Sequence, residues 1–443
     1  MASQGINLSE TFKLTKGQCY FSPNGRYVAN ASQFRLVVRE FETLQIVAVL
    51  TCIDTIDKVA WAPNSKSILS SSFKRGVSQL WTLQNSVCAS KLDEGSSGLV
   101  DALWCPDSKQ ILTWSEFGVR INVWSLNHKR VSYIQNPKLN SAGCIFYKKQ
   151  AIVCERRDRE DFISIFKYSD WTLTCNFKVS TDDMESCHVI NDAILVCDSH
   201  LTPRYFVYDL KGSCHTKVDL YSNKLGVKCL AASSSEQFAA MGCYDATCKL
   251  LNSVTWSILK EWKHTTDAVT KNTIVYVEEH SDSGSRFKIQ DSTENFELPF
   301  VKANHDDQYL LVGVGIATFS ASGRFLATRC DSAPSVIWVW DMEDLSLSSL
   351  IVHQAPVVTL DWDPLHSKNK DEILAMCCNA NHVYVWSTSG VLALKVPNCE
   401  TLSGAGELGP IRNIAWSCMG NCLILKGDYH FCLCYFPSYG KSS

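Results

Sequence analysis

The sequence has almost no net charge, and that narrows what it can bind. Its formal charge is −3 over 443 residues. Such a balance carries no global footprint for nucleic acid or for an anionic membrane. Long hydrophobic runs are missing too. The longest, around Leu310 to Phe319, is too short and too rich in glycine to span a bilayer. The opening residues, MASQGINLSETFKL, lack the basic, apolar, small-residue order of a secretory signal. The expectation is a cytosolic or nuclear protein. Its 21 cysteines then read as reduced thiols, used as small apolar side chains in strands. The Asn-x-Ser triplets at Asn7 and Asn30 carry no glycosylation meaning in that setting.

Catalytic signatures are absent as well. Gly95-Ser96-Ser97-Gly98 fails the spacing of a nucleophile elbow. Gly440-Lys441-Ser442 lacks the upstream glycine of a phosphate loop, since position 435 is Tyr. Gly313-Val314-Gly315 lacks a third glycine, and no His-Glu-x-x-His occurs. No Cys-x-x-Cys couple supplies the usual spacing of a structural zinc site. Cys432 and Cys434 share one face of a strand, and Cys377 and Cys378 point to opposite faces. Buried strand thiols account for all of them. His188, His200 and His215 share a region but have no nucleophile context. No catalytic residue, cofactor site or metal site is therefore expected.

What the chain does contain is repetition. Residues 315 to 341 hold one complete example. Ile316–Phe319 alternates as a strand and ends in the turn Ser320-Ala321-Ser322-Gly323. Arg324–Thr328 is a second apolar strand, and Ser335–Asp341 is a β-branched and aromatic third. One such unit has bare edges and cannot hide its apolar faces, so neighbours must stack on it. Related units start at Cys19, Val59, Leu103, Cys144, Ala193, Val227, Thr359 and Asn413, making nine. The anchor aromatics Phe21, Trp61, Trp104 and Phe146, and again Phe319 and Trp362, recur every 40 to 43 residues. A four-stranded propeller blade takes about 40–45 residues. Helical repeats of similar period conflict with the strict alternation.

The expected fold is therefore all-β: a WD40-like β-propeller of about nine blade-like units in a single closed ring spanning 1–443. Closure with seven or eight blades beside a loose unit is the alternative. The spacing breaks once, between Leu230 and Phe319, where residues 262–308 read as an inserted hairpin with exposed connections. Outer strands are expected at Thr43 to Leu50, Trp171 to Phe177 and Thr255 to Trp262. Thr11 to Leu14 would supply the outer strand of the last blade. Residues 437–443 form a C-terminal tail.

The connections between second and third strands hold cations in several units. They are Lys74 and Arg75 in the second, Arg156 and Arg157 in the fourth, Arg204 in the fifth and Arg329 in the seventh. Equivalent loops of a propeller share one end, so these six form a candidate basic rim for an acidic partner. The competing expectation is local pairing with carboxylates such as Asp158, Glu160 or Asp161. A rigid platform for protein partners is the function class this favours. A translation-associated propeller, resembling initiation-factor propellers, is the alternative. It would call for a basic excess or an aromatic RNA motif. An enzyme with a site in the channel would need converging acid, base or metal groups.

Several strings are more specific than a bare repeat. Phe34–Arg39 with Thr43–Ile46, Lys74-Arg75-Gly76, Asp93–Val100 and Glu116-Phe117 with Arg120–Leu126 resemble the WD repeat-containing protein 8 family. So do Glu155–Asp158, Ser164–Phe166 with Ser169–Trp171, Ala327–Arg329 through Asp341, and His430–Cys434. The resemblance spans nearly the whole chain and is weakest over 262–308. Trp-Asp pairs are few, Trp340-Asp341 among them, and the Gly-His dipeptide of typical WD repeats is absent. The resemblance implies a non-enzymatic scaffold of the centrosome, centriolar satellites and spindle poles, in the cytoplasm and cytoskeleton. It implies a coiled-coil spindle-anchoring partner and, in fungi, a minus-end-directed kinesin, with microtubules engaged through the complex. It further implies roles in microtubule minus-end anchoring, mitotic spindle assembly and cilium formation.

Overall fold

A computed structural model describes residues 7–84, 87–128, 130–199, 201–219, 226–265, 269–281, 284–290, 298–301, 312–365, 371–396 and 408–436. The expected tail, 437–443, lies outside them, as do parts of 262–308. The described residues form nine sheets, antiparallel except for one pairing in the seventh, and no α-helix; three short 3₁₀ turns complete the regular structure. The architecture is that of nine propeller blades. The chain divides into two compact units, residues 13–220 and residues 1–12 with 221–443.

In the unit 13–220, blades 1 to 5 begin at Cys19, Lys58, Asp101, Cys144 and Ser186. Each has four strands in meander order. Blade 3 runs Asp101–Trp104, Gln110–Trp114, Arg120–Ser125 and Val131–Gln135. Blade 4 runs Cys144–Tyr147, Gln150–Arg157, Glu160–Lys167 and Thr172–Lys178. Alternation explains the pairing: one set of side chains covers the blade before and the other set the blade after. Thus Leu36, Val38, Ala48 and Leu50 of blade 1 pack against Val59, Trp61 and Ile68 of blade 2. Leu112, Trp114, Ile121 and Val123 of blade 3 meet Cys144 and Val153 of blade 4. Desolvation in these layers pushes thiols up, Cys105 to about 12. They behave as apolar filling.

The anchor aromatics do more than fill space. Trp61 Nε1 donates to the carbonyl of Tyr20 at 3.2 Å, and Trp104 Nε1 to that of Ala60 at 3.1 Å. In the other unit Trp362 Nε1 reaches Thr318 O at 3.1 Å and Trp416 Nε1 reaches Asp361 O at 3.0 Å. Each acceptor immediately precedes the anchor aromatic of the blade before. One residue type at one position therefore repeats one interblade bond. Within blades, a second tryptophan ties third strand to second: Trp81 to Ser70 at 2.8 Å, Trp124 to Thr113 at 2.7 Å, and Trp340 to Thr328 at 2.8 Å. His264 closes on the same Thr328 hydroxyl at 2.8 Å.

The turn after each first strand needs a left-handed residue. Gly25, Gly323 and Gly420 supply it at no steric cost. Ser65 and Ser108 adopt φ near +59° instead. Their hydroxyls accept the amides of Asn24 and Asn64 at 3.0 Å, one blade back. The serine exchanges local strain for a tie between blades.

In the unit formed by 1–12 and 221–443, blades 6 to 9 begin at Val227, Val314, Thr359 and Asn413. Asn7–Leu8 pairs antiparallel with Cys434–Tyr435 as an added strand of blade 9. The strand that starts at Phe12, inside the expected Thr11 to Leu14, also pairs with His430–Tyr435 and makes the sheet five-stranded; Asn7–Leu8 is a further piece ahead of it. Ser9 sets that further piece, because its amide donates to Leu433 O and its hydroxyl accepts Leu433 N, both at 2.9 Å.

The 262–308 stretch contains a hairpin, Ile274–Ser281 with Gly284–Gln290, and its first strand runs parallel to Ser346–Val352. Blade 7 thus becomes six-stranded. The hairpin is fastened by Glu278, which is 1% exposed. Tyr384 Oη donates to its carboxylate at 2.7 Å and the Gln354 amide at 2.9 Å. Burial opposes its ionisation, yet these donors and the His353 ring hold its carboxyl down at about 2.

Two expectations follow. Trp104→Phe keeps the ring and loses the interblade bond, so it should cost about 0.5–1.5 kcal/mol. Trp104→Ala should cost about 3–5 kcal/mol, both read by denaturant unfolding. Glu278→Ala should speed amide exchange across Ile274–Gln290 while blade 9 keeps its protection. In the wild type the carboxyl is depressed in the folded state. The hairpin should therefore stay protected above the ordinary carboxylate range and lose protection as pH falls from about 4 toward 2.

Candidate functional site

The six sequence-predicted cations do not occupy equivalent places. Lys74 and Arg75 lie in the turn between Ser67–Ser72 and Val77–Thr82. Arg156 and Arg157 end the second strand of blade 4, Arg204 opens the third strand of blade 5, and Arg329 sits in the second strand of blade 7. Blade 4 explains the difference. Asp158 and Arg159 both take positive φ, so a two-residue hairpin carries the ladder to Arg157 opposite Glu160.

Five of the six cations are spoken for. Arg75 pairs with Asp54 at 2.7 Å. Arg156 reaches Asp161 at 3.0 Å and Asp183 at 2.5 Å, and Arg157 pairs with Glu155. Arg204 reaches Asp198 at 2.5 Å and Asp182 at 2.7 Å, and Arg329 reaches Asp331 at 2.6 Å. Lys74 is exposed and has no ion pair among the described residues. The local-pairing expectation named Asp161 correctly; Asp158 and Glu160 are not the partners of Arg156 or Arg157.

Two carboxylates organise the loop end of blades 4 and 5. Asp161 has no exposed side-chain surface. It accepts from Lys138 at 2.9 Å, Arg156 at 3.0 Å, the Thr181 hydroxyl at 2.9 Å and the Met184 amide at 2.6 Å. Every lone pair is used, which is what keeps a buried charge tolerable. Asp198, equally covered, accepts the amides of Asp182, Asp183 and Ser199 and the Arg204 guanidinium. Burial works against its ionisation. The Asp183 amide, Arg204 and the other amides outweigh that and hold its carboxyl below the usual range. Lys138 holds Asp183 low in the same way.

Asp183 and Asp198 escape the sequence reading, and Asp161 enters it only as a neighbour of Arg156, because many of the donors to these acids lie far along the chain. Lys138 and Asp183 are a blade apart, as are Lys16 and Asp57, Lys58 and Asp101, and Lys148 and Asp192. A search for Lys and Asp separated by one blade period would have found them. Arranged this way, the charges give the loop ends of the blades rigidity and shape. Among the described residues no group of three or more His, Cys, Asp or Glu could hold a metal ion.

A second surface lies beside blade 4. Tyr133 to Asn136 of blade 3 face Glu155, Arg157, Ser164, Phe166 and Leu173 of blade 4 across a cavity of about 320 Å³. Next to it, Phe117 and Val119 stand exposed on the turn joining second and third strands of blade 3, and the Val119 carbonyl accepts the Asn136 amide at 3.0 Å.

No protein-family model matches the chain. Against curated proteins it is 36% identical to WD repeat-containing protein WRAP73 of Mus musculus, covering 98% of this chain and 96% of that one. It is 22% identical to an uncharacterised WD repeat-containing protein of Schizosaccharomyces pombe, over 82% of this chain and 79% of that one. Among solved structures it resembles the crystal structure of the C-terminal WD40 domain of Sif2. The TM-score is 0.51 at 12% identity, over 97% of this chain and 99% of that one. That likeness is one of fold.

The buried acid makes a clear expectation. Asp198→Asn removes the charge that Arg204 and three amides face, so at neutral pH it should cost about 1.5–3 kcal/mol. Because the native carboxyl is depressed, its contribution is present above the ordinary carboxylate range and is lost as pH falls below it. The difference in melting temperature between wild type and variant should shrink below pH about 4.

Proposed function

The chain belongs to the WD repeat-containing protein 8 family, and from that premise we propose that it is a non-enzymatic interaction scaffold of the centrosome, centriolar satellites and spindle poles. It acts there with a coiled-coil spindle-anchoring protein, and through that complex with microtubules and, in fungi, a minus-end-directed kinesin. Its work is minus-end anchoring, spindle assembly and, in animals, support of cilium formation. The observation that carries this reading is the likeness to WRAP73 along almost all of both chains.

The physical character of the blades supports it. Interblade indole bonds, buried carboxylates and lysine–aspartate ties make each unit stiff. A stiff body loses little entropy when its loops dock, so several partners can be held in fixed relation. The rim cations are expected to contribute mainly through shape. Paired with carboxylates, they present alternating charge, which gives specificity and orientation more than attraction. Lys74 is the exception and remains open to an acidic group.

Proximity labelling with the full chain in dividing, ciliating cells tests the reading. The expected neighbours are coiled-coil proteins of the centrosome and spindle pole. A neighbour set dominated by ribosomal and initiation-factor proteins would overturn it in favour of a translation-associated propeller.

A further inference from the structure

We propose that the groove between blades 3 and 4 is a docking site for an extended acidic peptide carrying one bulky apolar side chain. The proposal rests on the scaffold reading and says which chemistry one of its partners presents.

The groove is built from opposed elements. On one side is Val131–Gln135, the fourth and edge strand of blade 3, which has no charged residue. Edge strands leave a row of amides and carbonyls open to a further strand. On the other side the cavity is walled by Phe166 and Leu173, with Ser164 and Glu155 at its base. Its volume of about 320 Å³ is at the small end for a ligand site, and suits a single large side chain.

Apolar surface continues out of the cavity. Tyr133 is 58% exposed, Leu173 56%, Val119 56% and Phe117 96%. Phe117 stands out because its backbone is also held in the left-handed region, at φ 59° and ψ 18°. A bulky residue in that conformation costs free energy, and no packing repays it here. Gly118 follows at φ +60°, and a Cβ there would lie 3.1 Å from the Pro137 carbonyl. The turn is thus pressed against its neighbour in a shape that lifts the phenyl ring into solvent. Val119 adjoins the cavity, since its carbonyl accepts the Asn136 amide at 3.0 Å, so exposed apolar side chains extend past the lining residues, which fits a chain rather than a small molecule.

Charge selects the kind of chain. Two guanidiniums flank the groove. Arg120, cross-strand from Gln135, lies over the Tyr133 ring at 4.9 Å and donates to Ser97 Oγ at 3.3 Å. Its Nε–H is buried without a partner, and no carboxylate pairs with it among the described residues. Arg157 sits over the Phe162 ring at 5.3 Å, with 44% of its side chain exposed. Its single carboxylate partner, Glu155, is buried beneath it. Stacked guanidiniums with donors left over are well suited to carboxylates. A segment with a Phe, Tyr or Leu for the cavity and Asp or Glu on either side meets both ends.

Panning phage-displayed random twelve-residue peptides on the purified full chain tests this. Enriched sequences should share an aromatic or Leu residue flanked by acids. A fluorescent peptide made from them should bind in a salt-sensitive way and weaken roughly tenfold, about 1.4 kcal/mol, with Arg120→Glu. Phe117→Ser, at a site with no packing to lose, should weaken it too and serves if Arg120→Glu lowers the melting temperature. Enrichment of basic or uncharged peptides, no enrichment over an unrelated propeller, or binding indifferent to both variants would overturn the proposal. Centrosomal neighbours with an indifferent groove would leave the scaffold reading intact and remove only this site. The reverse pair of results would do the opposite.

Discussion

A sheet with two apolar faces has to be covered twice, and within each unit successive blades cover one another. That requirement sets the spacing of the anchor aromatics and the alternation of each strand. The indole bond from Trp61, Trp104, Trp362 or Trp416 to the preceding blade adds direction to a force that has none. Burial alone would let two sheets slide. A donor that must find one carbonyl fixes their register, because leaving it unpaired in a dry layer costs more than the bond contributes. Blades whose anchor is Phe, as at Phe21 and Phe146, keep the packing and do without the bond.

The loop ends follow a different physics. There, charge is brought inside and made tolerable by saturating it. Asp161 and Asp198 each collect several donors from segments far apart in sequence. Such acids act as knots: they hold connections in one shape that would otherwise sample many. Glu278 does the same for the hairpin laid along blade 7. The loop ends are thus stiff because their charges are used internally. Only where a guanidinium lacks that internal use, as at Arg120, does recognition of an external acid become the natural reading.

How much of this the chain displays before folding depends on range. The repeat, the nine units and the tryptophans ending the third strands are local patterns, readable because strand period and turn chemistry act over a few residues. The fourth strands were placed within a few residues, as Ile46–Thr51 and Thr172–Lys178 show. The N-terminal strand expected at Thr11 to Leu14 is present, with Phe12 paired to the last strand of blade 9. The further pairing of Asn7–Leu8 escapes a local reading, since Ser9's bonds to Leu433 join residues at opposite ends of the chain. Arg156 and Arg157 were read as loop because charge suggests exposure; the tight turn at Asp158 and Arg159 keeps them in the ladder.

By itself, then, the sequence determined the class of fold, the presence of nine repeat units and the family, because each is written in short-range periodicity and in contiguous strings; that each unit forms its own sheet is seen only in the structure. Tertiary structure alone decided which cations are neutralised, where Phe117 points and that Tyr133 faces Leu173 over a cavity. Those outcomes depend on side chains a blade apart meeting in space. Coulombic pairing and desolvation act on distance in three dimensions, to which position along the chain is a poor guide.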